Sequence, residues 1–180
     1  MKRLFVSAAA IACLGAGSAS AALKVGSQAP DFSAQASQAG KQFPFHLAAA
    51  LKHGPVVVYF FPAAFTKGCT IEAHEFAAAS EDYRRLGATL IGVTAGNINR
   101  LTEFSVSECR SKFAVAADPS AMIARSYDST LAVFRGVSDR VSYVIAPDGK
   151  VISAYSDLGP DHHVEKTLAA LRAWRATHPL

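Results

Sequence analysis

The chain has 180 residues, of which 51% are hydrophobic and 18% are charged, and its formal net charge at pH 7 is +4. This length and composition suit one folded domain with a hydrophobic core, and they exclude a disordered chain and a coiled coil. Lys2 and Arg3 carry half of the net charge, and no run of basic residues interleaved with aromatic ones follows them. We therefore expect no nucleic-acid partner.

The N-terminal segment has the pattern of an export signal. Two basic residues precede an alanine-rich apolar stretch over 4–17, and Ala19 and Ala21 offer the small side chains that a signal peptidase accepts. A membrane anchor is the alternative, but the stretch is short for a hydrocarbon core of ~30 Å and is diluted by glycine. A lipoprotein would be acylated at Cys13, although the residues before Cys13 are a poor lipobox.

We predict a signal peptide over 1–21 and one domain over 22–180. The mature protein would then be exported, periplasmic and free of stable membrane insertion. Removal of the signal leaves two cysteines, Cys69 and Cys109, in a compartment that permits disulfides.

The remaining chain alternates between strand-like and helix-like segments. The predicted elements are, in chain order, a strand over 31–34, a turn at Gly40 and Lys41, a short helix over 45–51, a strand over 56–61, a helix over 70–86, a strand over 89–94, a helix over 98–109, a strand over 115–116, a helix over 121–127, strands over 140–146 and 151–155, and a helix over 164–176. This order predicts the α/β class.

Two of the predicted elements, a strand and a helix, lie on either side of Cys69. The run VVVYFF over 56–61 is continuously apolar, β-branched and aromatic, which is typical of a central strand buried on both faces. The helix over 70–86 is predicted from its spacing of apolar residues, including Ile71 and Phe76, and from Gly87 as its C-terminal stop.

Cys69 follows the buried strand and opens this helix. A cysteine there lies at the carboxyl edge of the sheet, beside free backbone N–H groups and the positive end of the helix dipole, which favour thiolate over thiol. Thr66 can direct its hydroxyl at the sulfur and at a bound substrate, while Pro62 can shield the thiolate and stiffen the loop. The segment therefore predicts a nucleophilic cysteine.

The two cysteines also allow other interpretations. A permanent Cys69–Cys109 bond would stabilise the fold by roughly 3–4 kcal/mol, but it would not need the Pro-x-x-x-Thr frame. Two cysteines do not make a zinc site, and the adjacent His162 and His163 lack a third ligand, so they are interpreted as the first turn of the last helix. We expect neither a metal nor a cofactor.

The segment from Pro62 to Cys69 resembles the P-x-x-x-T-x-x-C signature of the peroxiredoxin family. The similarity also includes VGSQAPDF over 25–32 and RVSYVIAPDGK over 140–150, and it extends to residue 174. Gly68-Cys69-Thr70 with Glu72 is similar to the bacterioferritin-comigratory, or peroxiredoxin Q, branch. The resemblance implies a thioredoxin-like fold, with a central mixed β-sheet flanked by helices.

The resemblance also implies a reaction. Cys69 would reduce hydrogen peroxide and organic hydroperoxides and become a sulfenic acid, while Thr66 and Arg140 hold the peroxide oxygens and Glu72 orients the arginine. A thioredoxin-like or other dithiol would return the electrons, and we expect a monomer. A thiol–disulfide oxidoreductase is disfavoured because Thr66 stands where C-x-x-C would need its first cysteine. A redox sensor or binding protein of the same fold remains an alternative.

Cys109 is where the chain departs from many relatives in this branch, which carry a resolving cysteine five positions after the first. His74 occupies that position here and is interpreted as a surface residue of the helix. Cys109 lies where other two-cysteine members keep their resolving residue, so the resemblance implies a Cys69–Cys109 disulfide and local unwinding at each turnover. In the one-cysteine alternative an external thiol resolves the sulfenic acid.

Overall fold

The computed structural model describes residues 22–180; the predicted signal peptide over 1–21, with Cys13, lies outside them. The elements are β1 (Ser33–Gln38), β2 (Lys41–His46), α1 (Leu47–Leu51), β3 (Val56–Phe60), α2 (Lys67–Ala78), α3 (Ser80–Arg85), β4 (Thr89–Thr94), a 3-10 turn (Ile98–Arg100), α4 (Leu101–Ser107), β5 (Ala114–Ala117), α5 (Met122–Ser126), β6 (Val141–Ile145), β7 (Val151–Ser156) and α6 (His163–Arg175).

Within this part of the chain the strands form one mixed sheet in the order β2-β1-β5-β4-β3-β6-β7. Strands β3, β4 and β5 are parallel, and β6 pairs antiparallel with both β3 and β7. Because β3 lies inside the sheet and is buried on both faces, every one of its residues is apolar or aromatic, as its sequence predicts. The carboxyl end of β3 positions the segment that carries Cys69.

Two hydrophobic clusters cover the faces of the sheet. One face packs alternate residues of β3, such as Val58 and Phe60, against α1 and α5. The opposite face packs Tyr59 and Phe61 together with Phe76 of α2 and both described cysteines. Helices therefore lie on both sides of a mixed sheet, which confirms the predicted α/β, thioredoxin-like architecture.

The N-terminal region was predicted less well. The strand expected over 31–34 is a longer strand, β1, and its hairpin partner β2 was not predicted at all. Pro44 lies in β2, which is an edge strand, where a missing N–H costs no ladder hydrogen bond. The predicted turn at Gly40 is confirmed, and α1 begins at Leu47 instead of 45 because residues 45 and 46 pair with β1.

The helix predicted over 70–86 is two helices. The first, α2, begins at Lys67 and ends at Ala78, and the short α3 follows it after a break at Ala79. The buried face of α2 was predicted only in part, because Phe76 is buried as expected, whereas Ile71 is exposed and Glu72 is buried. The buried residues of α2 recur from Cys69 onward at spacings of three and four residues. Because α2 starts at Lys67, Cys69 is its first buried residue, and the face that carries Cys69 packs on the sheet.

The later elements agree more closely with their predictions. The helix predicted over 98–109 consists of a 3-10 turn and α4, which ends at Ser107 and leaves Cys109 beyond the helix. The strand predicted over 140–146 starts at Val141, so Arg140 immediately precedes it. Across residues 22–180 no helix is both long and apolar enough to cross a membrane.

Candidate active site

Cys69 lies in the first turn of α2, at the carboxyl end of the central strand β3, and is almost completely buried. Thr66 is the N-cap residue of this helix, with an extended backbone, and its carbonyl accepts the Thr70 amide at 2.9 Å. The sulfur therefore lies in the turn whose backbone N–H groups have no intrahelical acceptor. This placement is the one that the sequence predicts.

The loop that leads to Cys69 is held by the neighbouring strand. Thr94 at the end of β4 donates its hydroxyl to the Pro62 carbonyl at 3.2 Å, and the Asn97 amide donates to the Ala64 carbonyl at 2.8 Å. Phe65 has a φ of +63°, and its ring packs edge-on against Phe104 of α4. The loop is thus locked in one conformation from both sides.

The Thr66 hydroxyl donates to the Ala63 carbonyl at 3.0 Å, so its proton points away from the sulfur. The side chain is exposed at the mouth of the site. Because a hydroxyl has two lone pairs besides its proton, Thr66 can still accept a hydrogen bond from an incoming O–H group. Thr66 was predicted to direct its hydroxyl at the sulfur, but in this structure it is an acceptor that faces the mouth of the site.

Arg140, the residue before β6, contacts Cys69 with its guanidinium group. Its Nη2 lies 3.5 Å from the Cys69 Sγ, and its Nε donates to the Leu158 carbonyl at 2.8 Å. Gly68 leaves the space for this approach, since a Cβ at residue 68 would lie 3.1 Å from Nη2. Arg140 is only 4% exposed. A cation is thus directed at the sulfur inside the protein, where its field is weakly screened.

Glu72 completes this arrangement from the next turn of α2. One carboxylate oxygen, Oε2, forms a salt bridge with Nη1 of Arg140, and both side chains are buried. Burial opposes the charge on Arg140, but the charges of Glu72 and Cys69 outweigh it and hold the pKa of the guanidinium above its ordinary value. The structure therefore contains the contact between Glu72 and Arg140 that the sequence predicts.

The same burial acts on Glu72 in the opposite sense. Desolvation raises the pKa of its carboxyl to about 8, even though Arg140 lowers it. Its second oxygen, Oε1, has no hydrogen-bond partner among residues 22–180. Burial therefore disfavours the charged form of Glu72, while its salt bridge with Arg140 favours that form.

Cys109 lies in the same apolar cluster as Cys69 but is held apart from it. It is fully buried, and within the described range both cysteines are free thiols. Burial, followed by the charge of Glu108, raises the pKa of the Cys109 thiol well above its ordinary value. Arg110 and Ser111 directly after it have φ values of +50° and +61°. Cys109 is therefore inert where it lies, at the start of a strained segment.

His74 makes a contact that the sequence does not predict. Its Nε2 lies 2.9 Å from Oε2 of Glu108, so it connects the helix of Cys69 to the residue before Cys109. The prediction of a surface residue is right in that the side chain is partly exposed, but it missed this contact. No local pattern signals it, because the two residues are far apart in the sequence and meet only in the folded chain.

His163 was also missed. The sequence places it in the first turn of α6, where it is found, but its side chain is fully buried and its Nδ1 lies 3.7 Å from Glu72 Oε1. A signal was available, since His163 precedes the buried Thr167 and Leu171 by four and eight residues and so falls on the buried row of the helix. Within residues 22–180 no cluster of three metal-ligating side chains occurs.

Together these groups place the buried Cys69 thiol opposite the Arg140 guanidinium. The Thr66 hydroxyl, in the loop before Cys69, can accept a hydrogen bond. Such a site places a positive charge beside the sulfur and can stabilise negative charge that develops on a departing oxygen. It therefore suits attack by sulfur on an electrophilic oxygen atom.

Known proteins resemble this chain in sequence and in fold. The model of the AhpC/TSA family matches residues 25–154. A Mycobacterium tuberculosis protein named "Putative peroxiredoxin" is 31% identical over 140 residues, which cover 74% of this chain and 88% of that protein. A chloroplastic peroxiredoxin Q of rice is 29% identical over 149 residues, which cover 82% of this chain and 66% of that protein.

The crystal structure of peroxidoxin BcpB from Mycobacterium tuberculosis superposes with a TM-score of 0.74 at 28% sequence identity, covering 84% of this chain and 97% of that chain. The AhpC structure of the same organism, at 18% identity and a TM-score of 0.75, shares the fold. The family match, the relatives and the fold indicate the same family. The chain therefore belongs to the AhpC/TSA family, the peroxiredoxins, which are thiol-dependent peroxidases.

Proposed function

We propose that this chain reduces hydrogen peroxide and organic hydroperoxides with the thiolate of Cys69, and that Cys109 then resolves the oxidised product. The observation that carries the first part is the approach of Arg140 Nη2 to within 3.5 Å of the Cys69 sulfur in a buried site. An isolated structural cysteine would not need a buried cation held by a buried carboxylate, because such an arrangement has a desolvation cost.

The first step is a displacement at oxygen. The Cys69 thiolate attacks the outer oxygen of ROOH, the S–O bond forms as the O–O bond breaks, and RO⁻ leaves and takes up a proton to become ROH. Arg140 stabilises both the thiolate and the charge on the departing oxygen, while the Thr66 lone pairs accept the peroxide O–H. Sulfur is oxidised by two electrons to a sulfenic acid.

The site mouth supports organic hydroperoxides as well as hydrogen peroxide. Leu158, whose carbonyl accepts a hydrogen bond from Arg140 Nε, is a large apolar residue with an exposed fraction of 61%. We propose that its side chain offers apolar surface to the R group of a substrate.

In the second step the sulfur of Cys109 displaces water from the sulfenic acid, which gives a Cys69–Cys109 disulfide and H₂O. Cys109 is fully buried beyond the end of α4 and its thiol is held in the neutral form, so the step requires this segment to unwind. The seven-residue length of α4 and the left-handed residues Arg110 and Ser111 favour local opening.

A dithiol of the thioredoxin type then reduces the disulfide, taking it back to two thiols with two electrons. We place this cycle in the periplasm, since residues 1–21 have the composition of a cleaved signal, and we propose a monomer because resolution occurs within one chain.

Cys69→Ser tests the peroxidase itself. Peroxide consumption by the purified mature chain with a dithiol should be lost, since serine offers no thiolate at neutral pH. Circular dichroism should match that of the wild type. Substantial turnover by a folded Cys69→Ser protein contradicts the assignment and leaves a redox sensor or binding protein as the function.

Cys109→Ser tests resolution. This variant should oxidise once at the wild-type rate and then stall as sulfenic acid, over-oxidising at higher peroxide. Peptide mapping of the wild type after one equivalent of peroxide should find one intramolecular disulfide. A persistent sulfenic acid beside a free Cys109, or a Cys69–Cys69 dimer, contradicts the two-cysteine cycle and identifies a one-cysteine peroxidase.

A further inference from the structure

Tyr59, in the central strand β3, has a buried hydroxyl without a hydrogen-bond partner. The residue is 0% exposed, and none of the steps described above uses it. Its phenolic oxygen, Oη, forms no hydrogen bond with any atom of residues 22–180. A buried hydroxyl of this kind destabilises the state in which it is buried, because in water it would donate and accept hydrogen bonds. This unpaired group lies in the apolar cluster that contains both described cysteines.

The packing of the Tyr59 ring holds the hydroxyl in this position. The ring stacks on Phe76 of α2 and on Phe61, with centroids 4.3 Å and 5.3 Å apart. Its phenolic end lies against β4, where a Cβ at residue 92 would be only 2.8 Å from Oη, so Gly92 leaves the space that the hydroxyl needs. Gly92 is in register with β3 on one side and with β5 on the other, so its backbone is engaged in the sheet. The hydroxyl is therefore fixed where the sheet and the aromatic rings enclose it.

Another wall around Tyr59 comes from the segment over 108–113, which carries Cys109. Phe113 meets the Tyr59 ring edge-on, with centroids 5.9 Å apart, and Cys109 packs in the same cluster. Arg110 and Ser111, between these two residues, have the left-handed backbone already described. Because Cys109 can reach Cys69 only when this segment leaves its place, the same movement removes cover from Tyr59 and admits water to its hydroxyl.

We propose that Tyr59 is a positioning residue for the resolution step, because its unpaired hydroxyl destabilises the closed position of the segment over 108–113 and becomes hydrated when that segment opens. The hydroxyl thereby raises the fraction of molecules in which Cys109 can reach the sulfenic acid. Tyr59 acts only on this opening, and the atoms and electrons of the disulfide step are those given above. The inference rests on the proposed resolution by Cys109.

The protonation state of Tyr59 supports this role. Burial, followed by the charge of Cys109, raises the pKa of the phenol well above its ordinary value. The charges of Glu72 and Cys69 act in the same direction, and Arg140 opposes them. The hydroxyl therefore keeps its proton and remains a donor that lacks an acceptor.

Tyr59→Phe tests the proposal, because it keeps the ring and its stacking and removes only the hydroxyl. The closed position should become more favourable, so formation of the Cys69–Cys109 disulfide should slow about five- to thirtyfold. The first oxidation by hydrogen peroxide should keep its wild-type rate, since Tyr59 makes no hydrogen bond to Cys69 or Arg140. The sulfenic acid should then persist longer and over-oxidise at lower peroxide. Thiol trapping over time separates the two steps, and a merely structural role would not slow one of them alone.

Tyr83→Phe is the matched control in the same cluster. Tyr83 is 1% exposed, but its hydroxyl lies 2.6 Å from Thr167 Oγ1 and is therefore paired. Loss of the paired hydroxyl should lower the urea midpoint of unfolding and leave disulfide formation unchanged, whereas Tyr59→Phe should raise the midpoint. The same chemical change should thus have opposite effects on stability at the two positions.

Amide hydrogen exchange in the reduced protein gives a readout that does not depend on activity. Exchange over 108–113 should be slower in Tyr59→Phe than in the wild type, and not slower in Tyr83→Phe. Unchanged or faster exchange in Tyr59→Phe, a lower urea midpoint, or an unchanged rate of disulfide formation overturns the proposal. If the wild type forms no Cys69–Cys109 disulfide while exchange slows as described, the proposed resolution fails and the inference about the opening of this segment stands.

Discussion

Gly68→Ala is the most direct test of how closely Arg140 must approach the sulfur. Gly68 precedes Cys69 within α2, and its backbone is not in the left-handed region, so alanine is compatible with its conformation. The added Cβ would lie 3.1 Å from Arg140 Nη2 and 4.0 Å from its Cζ. The methyl group would therefore stand where the guanidinium now passes.

The size of the effect follows from these distances. Ordinary contact would require Nη2 to shift by about 0.3 Å or more, and we expect this shift to weaken its 3.5 Å contact with Sγ. A hydrogen bond to a charged group contributes roughly 1.5–3 kcal/mol, so partial loss costs about 1 kcal/mol and about fivefold in rate. Alanine should meanwhile stabilise the helix by roughly 0.5–1 kcal/mol.

The assay is the second-order rate constant for the first oxidation by hydrogen peroxide, measured together with urea unfolding. Gly136→Ala is the matched control, because no atom lies within 4 Å of a Cβ at that exposed position. We expect a slower and more stable Gly68→Ala protein and an unchanged rate for the control. A Gly68→Ala rate equal to that of the wild type would refute the claim that the arginine's approach controls the reaction.

Three further predictions concern the loop, the resolving segment and the export signal. Thr66→Val should slow oxidation of Cys69 by about 10² in the same assay, whereas Thr66→Ser should retain most of the rate because it keeps the acceptor; equal losses would contradict a role for the hydroxyl. His74→Ala should speed disulfide formation about two- to fivefold, since its partly exposed polar contact with Glu108 contributes about 0.4–1 kcal/mol against unwinding. Thiol trapping over time measures this step, and an unchanged rate would show that the pair does not restrain Cys109. Intact-mass analysis of the exported protein should find Ala22 at the N-terminus, and a retained N-terminus or a lipid on Cys13 would contradict the signal peptide.

The local sequence determined the elements whose signals lie within a few adjacent residues. The run over 56–61 favours a buried strand, since its residues are β-branched and aromatic with no polar interruption, and the turn at Pro147 to Gly149 separates the last two strands. The Pro62-Thr66-Cys69 spacing placed the cysteine at the start of a helix, where it lies. Strand β2 was missed because Pro44 disfavours strand unless the strand is an edge, and edge position is a property of the whole sheet.

Tertiary structure alone decided what surrounds the sulfur. Arg140 meets Cys69 across 71 positions because β6 pairs with β3, and the pairing of strands is not written in the pattern of either one. The burial of Glu72 depends on which face of α2 packs on the sheet, and its contact with His163 depends on α6 packing over β6 and β7. Local sequence determines which residues can form a strand or a helix, whereas charges that act through a dry interior depend on distances that only the packed chain sets.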